Sequence, residues 1–514
     1  MRTIMLISGI LLPVLGATLV PAAAASAAPI PNGPGKDSVP AYLGAPATPK
    51  PIPGAPIPRN PHMAAPGAAA MHADSWASDT YPFLGPLGRN PEVVSTAKAG
   101  GLPGLCSTHN YARSTGLIVA QCTNVGTFTL RLIDPKTLND LATFALPGRP
   151  STVSAVTGLD LDAVLTDTSG GAYYYLDAKD RAVLADSNFH IRRFAHVRTA
   201  KGWTFKVTDD WNLKKHVPHS CPTWANPRPK GECDPITSVQ PDWKGNIWWV
   251  TRKGRVGTVN PKNGRVKVIR LRGEQIQNSF AASRDGVSIV SDHALYRFRA
   301  DASGKPKAVW RKTYDRGTRR KSGQLDQGSG TTPTLLQGGL VAITDNAEPR
   351  MNVLVYRMGD GKRLCKVPVF KPGRSATDNS LIGFGRSLVV ENNSGYRNFV
   401  ELPAGASAHG GLSRIDITAS GCRTVWTSKE RSPSTVAKAS VPGGLVYAYT
   451  KEPRKDGVDA WYLTAIDFHT GRTAFKVLTG TGKLYDNNWA PVTLTPDGAA
   501  HVGVVGGLVT VRDR

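Results

Sequence analysis

From about residue 100 to the C-terminus, apolar and polar residues alternate in short runs rich in Val, Leu, Ile and aromatics. Gly, Asp and Asn turns separate the runs. A period of two over a few residues predicts half-buried strands, and no stretch shows a convincing amphipathic-helix period. The turns recur in two sets. The segments DPKTLND, NPKNGRV, DASGKPK, GDGKRL, TASGCRT and HTGRTA each join two strands. A second set, DWKGNIWWV, SRDGVSIV, LQGGLVAI, GFGRSLVV, PGGLVYAY and PDGAAHVG, alternates with the first. The interval is about 40 to 60 residues, which is the signature of a solenoid or propeller.

One unit is a four-stranded meander, with strands A to D at Thr237 to Pro241, Ile247 to Thr251, Arg255 to Asn260 and Val266 to Leu271. Further units begin near Ser107, Ser151, Ser279, Thr332, Ser380, Thr435 and Trp489. The second is irregular, with an additional hairpin around Ile191 to Val207. The last supplies only three strands, and a strand within Glu92 to Ala99 would complete it and close the ring. The expectation is an all-β fold: a single β-propeller over residues 91–514, with eight four-stranded antiparallel blades, or seven as the alternative count. A closed ring leaves only short, protected edges.

The segment GNIWWVTRKGRVGTVNPKNGRVKVIRL resembles a blade of streptogramin-lyase-type propellers. The rhythm of A-strand, Gly turn, B-strand and D-x-x-T-G resembles that of the pyrroloquinoline-quinone-like propeller superfamily. The likeness covers most of residues 100–514 and implies a fold, which does not fix function. Quinone-bearing alcohol dehydrogenases of that superfamily carry adjacent cysteines beside the cofactor. No Cys-Cys pair occurs here, so the resemblance does not extend to bound pyrroloquinoline quinone.

The N-terminus differs in composition. Residues 1–27 contain one basic residue, an apolar run broken by Ser8, Gly9, Pro13 and Gly16, and small residues at Ala25-Ser26-Ala27. This reads as a secretory signal peptide rather than a membrane anchor. Residues 28–90 are rich in Pro, Ala and Gly and read as a flexible, disordered tether, with His62 and His72 incidental. A secreted or cell-wall-associated monomer without a transmembrane anchor follows. The chain has 63 Lys and Arg against 38 Asp and Glu, a formal net charge of +25. That excess attracts anionic polymers. No base-stacking module is evident, so nucleic acid is not the expected partner.

Strand direction alternates in a meander. The tight A–B and C–D turns therefore share one face of the disc, and the long connections share the other. The long connections are 345–352, 392–411 and 450–460 between B and C, and 315–331, 374–379 and 480–488 before A. This elaborated face carries Asp345, Asn346, Asp378, Asn379, Glu391, Asn392, Asp486 and Asn487, a polar sector over blades five to eight. Carboxylate and amide oxygens without Cys or His suit a hard cation such as calcium, with Asp378, Glu391 and Asn392 as candidate ligands. Arg350, Arg374 and Arg397 offer the rival arrangement, a salt-bridged rim without metal. Asp and Asn also form ordinary turns and cap their own backbone. His109 and His409 fall on the same face as candidate bases or ligands. Trp243, Trp248 and Trp249 read as blade packing.

Six cysteines in an exported chain predict disulfides. Cys106–Cys122 and Cys221–Cys233 are local pairs, and Cys365–Cys422 follows by elimination. Three functions are compatible with these features. One is a metal-assisted hydrolase or lyase. Another is a non-catalytic extracellular module for cell-wall polymer, polysaccharide or protein. The third, disfavoured by the absence of adjacent cysteines, is a quinoprotein dehydrogenase.

Overall fold

Strands near the axis of a propeller are covered on both faces by neighbouring blades, while outer strands meet solvent. The burial pattern follows this rule. Ile247–Thr251 and Leu340–Thr344 are buried along their whole length. The outer strand Val266–Arg270 is nowhere fully buried. The structure is a computed structural model that describes residues 39–97, 104–124, 127–158 and 161–514.

Eight antiparallel sheets form the blades. Their innermost A strands are Leu105–Ala112, Tyr175–Leu176, Ile236–Pro241, Ala281–Ser283, Thr334–Leu336, Ile382–Phe384, Lys438–Ser440 and Val492–Leu494. Register shifts interrupt the C–D pairing of blades one, two, four, five, six and seven. Such bulges increase local twist and help the outer strands fan apart. The cores lie between blades. Trp248 of blade three, for example, packs with Phe280, Ile289 and Phe298 of blade four.

The ring closes as the sequence predicts. Pro91–Ser95 pairs antiparallel with Gly507–Asp513 and becomes the outer strand of blade eight. Lys98 and Ala99, at the end of the predicted closing segment, lie outside the described residues, as does the predicted signal peptide. Blade two differs from expectation. Its A strand starts at Tyr175 rather than near Ser151, and Pro150–Gly158 and Leu161–Leu165 are short helices. The hairpin His190–Thr199 and Gly202–Asn212 is not additional; it supplies strands C and D. The weak apolar period of residues 150–165 hid the helices.

The largest correction concerns the tether. From Val39 onward the segment packs against the propeller. Tyr42–Gly44 adds a strand outside blade seven by pairing with Thr473–Thr481. Residues 50–62 then cross the tight-turn face. Lys50 and Ile52 donate backbone hydrogen bonds to Gly443 and Val441, and the Asn60 amide donates to the Pro241 carbonyl at 2.9 Å. The glycines of the A–B turns make room for this path. A Cβ at Gly385 (φ +60°) would lie 2.7 Å from the Pro53 carbonyl oxygen. Residues 63–81 enter the central channel as a plug. Carbonyls of Ser75, Trp76, Ser78 and Asp79 accept backbone N–H bonds from Ala282, Leu335, Gly383 and Ala439 on the A strands of blades four to seven. Thr80–Tyr81 pairs parallel with the A strand of blade seven. A-strand N–H groups facing a channel need acceptors, and the plug backbone provides them.

Three disulfides join Cys106–Cys122, Cys221–Cys233 and Cys365–Cys422. The last connects the D strands of blades five and six, whose Cα atoms lie 5.9 Å apart at the bridge. Among the described residues, no helix is long and apolar enough to cross a membrane.

Candidate functional site

The eight residues of the predicted polar sector all make hydrogen bonds within the chain. Asp345 leaves strand B of blade five and accepts from the Asn352 backbone at 2.6 Å and from its amide at 2.8 Å. It therefore caps its own loop, and burial holds its carboxyl above the usual range. The Asn346 amide donates to the carbonyls of Arg316 and Arg319 at 3.0 and 2.9 Å. Asn379 donates to Glu391 at 2.8 Å and to the Thr435 carbonyl at 2.6 Å. Asn392 donates to the carbonyls of Arg374 and Gly410 at 2.9 and 2.8 Å. Asp486 accepts from the Tyr396 hydroxyl at 2.8 Å, and the Asn487 amide donates to Gly503 at 2.8 Å. All eight residues are buried.

Asp378 and Glu391 are buried acids without an arginine ion pair among the described residues. Asp378 accepts from the Leu325 N–H. Burial pushes its carboxyl up to about 8 and that of Glu391 up to about 7. Desolvation penalises the charged form. Asp378 Oδ1 and Glu391 Oε1 are buried with no hydrogen-bond partner among the described residues. The Asn392 carbonyl oxygen accepts from the Ala376 and Ser394 N–H groups at 3.3 and 3.2 Å, and Glu391 Oε2 accepts from the Asn379 amide and, at 3.2 Å, from the Ala437 N–H. Among the described residues, no three of His, Cys, Asp and Glu converge as metal ligands would.

The histidines also separate. His109 is not on the elaborated face: it lies within strand A of blade one, fully buried, with Nε2 3.3 Å from the His501 carbonyl oxygen. Burial lowers its pKa to about 4, which makes it a neutral packing residue. His409 is exposed in the B–C loop of blade six, and its Nδ1 is 3.1 Å from the Ser394 hydroxyl. Burial and then the charges of Arg374 and Arg431 lower its pKa.

Sequence reasoning missed the channel cluster. His72 and Asp79 on the plug, Lys438 on blade seven and Ser380 on the approach to blade six meet in the channel. His72 Nδ1 lies 3.1 Å from Asp79 and 2.8 Å from the Ser380 hydroxyl. Its Nε2 lies 3.1 Å from the Thr332 hydroxyl. Lys438 pairs with Asp79 and donates to the Met71 carbonyl at 2.6 Å. Burial alone would raise Asp79, but Lys438 and His72 outweigh it and hold its carboxyl below the usual range. Every one of these side chains is buried, so the cluster fastens the plug. The available signal was Asp, Ser, Trp and Tyr recurring in MHADSWASDTY, a composition foreign to a polyproline tether.

The second missed feature is accessible. A cleft of about 610 Å³ opens between the loops of blades five and six. Arg319, Arg320, Lys321 and Arg397 line it, against Glu348 as the opposing carboxylate. Arg319 and Arg397 are 76% and 69% exposed and pair loosely with Glu348 and Glu401 at 3.3 to 3.4 Å. Ser394, which bonds His409, lies in the same wall. Burial lowers the Lys321 pKa, and its ammonium donates to the Ala347 carbonyl at 2.6 Å. The run TRRK was legible in the sequence, but only the fold brings Arg397 beside it.

No family model matches the chain. An uncharacterised protein of Archaeoglobus fulgidus is 27% identical over 311 residues, covering 53% of this chain and 60% of that protein. The chain thus spans less than two thirds of that relative. Among solved structures, the quinohemoprotein alcohol dehydrogenase of Comamonas testosteroni superposes with a TM-score of 0.51 at 12% identity, covering 87% of this chain and 81% of that one. BamB of Moraxella catarrhalis gives a TM-score of 0.40 at 15% identity, covering 65% and 93%. The chain has the propeller fold that its repeats resemble. At this identity the likeness concerns fold alone.

Proposed function

We propose that this chain is an extracellular binding module that takes an anionic polymer or a small anionic ligand in the cleft between blades five and six. The observation that carries the reading is the set Arg319, Arg320, Lys321 and Arg397 around one cavity of about 610 Å³. Clefts lined by one sign of charge focus the field and concentrate counter-ions. Arg319 and Arg397 are paired with exposed carboxylates, and such pairs are worth only about 0–1 kcal/mol. A phosphate or carboxylate ligand can displace them at little cost and engage the guanidinium forks bidentately. Pairing of all six cysteines supports an oxidising compartment.

Calorimetric titration with inorganic polyphosphate tests the reading. Binding should weaken with added salt, because exposed charges are screened. The double variant Arg319→Ala/Arg397→Ala should weaken it at least tenfold without changing the melting temperature. Unchanged affinity in that variant would remove the cleft from the function.

A further inference from the structure

A second pocket lies on the elaborated face, remote in sequence from the cationic cleft. It has a volume of about 330 Å³ and is built from the approach to blade two, the B–C turn of that blade and the loop before blade three. At its edge stands Trp224, 65% exposed and the most exposed large hydrophobic side chain among the described residues. An indole in that position loses the burial that normally places tryptophan inside.

The loop that presents Trp224 is fixed. Cys221 and Cys233 close it with a disulfide. Thr223 and Asn226 exchange two backbone hydrogen bonds at 3.0 and 3.1 Å, which puts Trp224 at the tip of a tight turn. Such a platform is ordered before any ligand arrives, so little ordering entropy remains to be lost on binding.

The pocket beside it is polar and positive. Thr152, Asn188 and Thr223 supply hydroxyl and amide groups, Lys214 is exposed, and among the described residues no Asp or Glu lines the cavity. Ser187 is 7% exposed, and its hydroxyl has no hydrogen-bond partner among the described residues. Arg149 is already engaged: its Nε donates to the Ser169 carbonyl at 2.8 Å, and its guanidinium lies over the Phe128 ring at 4.8 Å. Lys214 is then the cation that can meet a ligand charge.

From this geometry we infer that the pocket binds one unit of an acidic saccharide. The apolar C–H face of a pyranose ring stacks on Trp224, ring hydroxyls bond to Asn188 and Thr223, and a carboxylate meets Lys214. The volume lies at the lower end of small-ligand sites, which suits one ring better than an extended peptide. This site is independent of the cleft between blades five and six and stands or falls separately.

The test is titration with tetragalacturonate, followed by calorimetry. Its methyl ester serves as the neutral control. Trp224→Ala should weaken binding at least tenfold, Lys214→Ala about fivefold, and the methyl ester should bind at least fivefold more weakly than the acid. Arg319→Ala/Arg397→Ala removes any contribution of the cationic cleft, and the Trp224-dependent binding should persist in that variant. Melting curves of both site variants should match the unaltered chain, since both side chains are exposed. Absence of binding, undiminished binding by Trp224→Ala, or equal affinity for the methyl ester each overturns the proposal. Loss of binding only in the arginine variant would assign the saccharide to the cleft and overturn it equally.

Discussion

Asp79 and Lys438 form an ion pair whose side chains are both fully buried, joining the N-terminal segment to blade seven across 359 residues. Removing one member of a buried pair leaves an uncompensated charge, at a cost of about 3–5 kcal/mol. Lys438→Met should therefore lower the unfolding free energy by about that amount, read from urea denaturation. The double variant Asp79→Asn/Lys438→Met should recover part of the loss, because it removes both charges. A double variant as unstable as the sum of the singles would show that the two do not act as a pair.

The same pair reverses the expectation for the tether. Residues 63–81 supply acceptors to the A strands of four blades and fill the channel. A chain beginning near Asn90 loses these acceptors and retains Lys438 without Asp79. It should fail to give the cooperative unfolding transition of the chain from Val39. Limited proteolysis of the intact protein should likewise spare residues 39–90. Early cleavage there, with the propeller still melting normally, would return the segment to a tether.

Much of the architecture was legible because a propeller writes its period into its turns. The Gly-rich A–B turns and the Asp/Asn-Gly C–D turns located seven of the eight A strands to within a few residues. Blade two was lost because helices of weak period, Pro150–Gly158 and Leu161–Leu165, stand where its first strand was sought. The polar sector was placed by topology, but its chemistry was not legible in the sequence. An Asp or Asn at a strand end serves equally to cap a loop, and only three-dimensional partners decide between capping and ligation. The plug escaped because Ala- and Pro-rich sequence has no period, and its stabilisation comes from contacts several hundred residues away. Arg319 and Arg397 were invisible as a pair for the same reason.

The disulfide between blades five and six should matter more than the local ones. Its sequence separation is 57 residues, against 16 and 12 for the others. In the loop-entropy account, a closed loop of that length contributes about 4 kcal/mol, and the shorter ones about 3. Cys365→Ser/Cys422→Ser should lower the urea midpoint more than Cys221→Ser/Cys233→Ser does. The reverse order would mean that the Pro-rich loop before blade three is worth more than its length implies.

Stability should decline as pH rises from about 6.5 to about 8. Burial raises Asp378 to about 8 and both Asp74 and Glu391 to about 7. Between the ordinary carboxylate range and those values the folded chain binds more protons than the unfolded one. Stability therefore falls with rising pH across that window. Buried His109 and His501, lowered to about 4 and about 3, act in the opposite sense, but only below the ordinary histidine range near 6.5. Above it they are neutral in both states, and the buried acids set the slope. Asp378→Asn removes one of these protons and keeps an acceptor for the Leu325 N–H. The variant should melt at a temperature less dependent on pH between 6.5 and 8, and higher than the unaltered chain at pH 8. An unchanged slope would show that Asp378 is ionised in the folded protein at neutral pH, with a counter-ion beside it, and would restore the polar sector as a cation site.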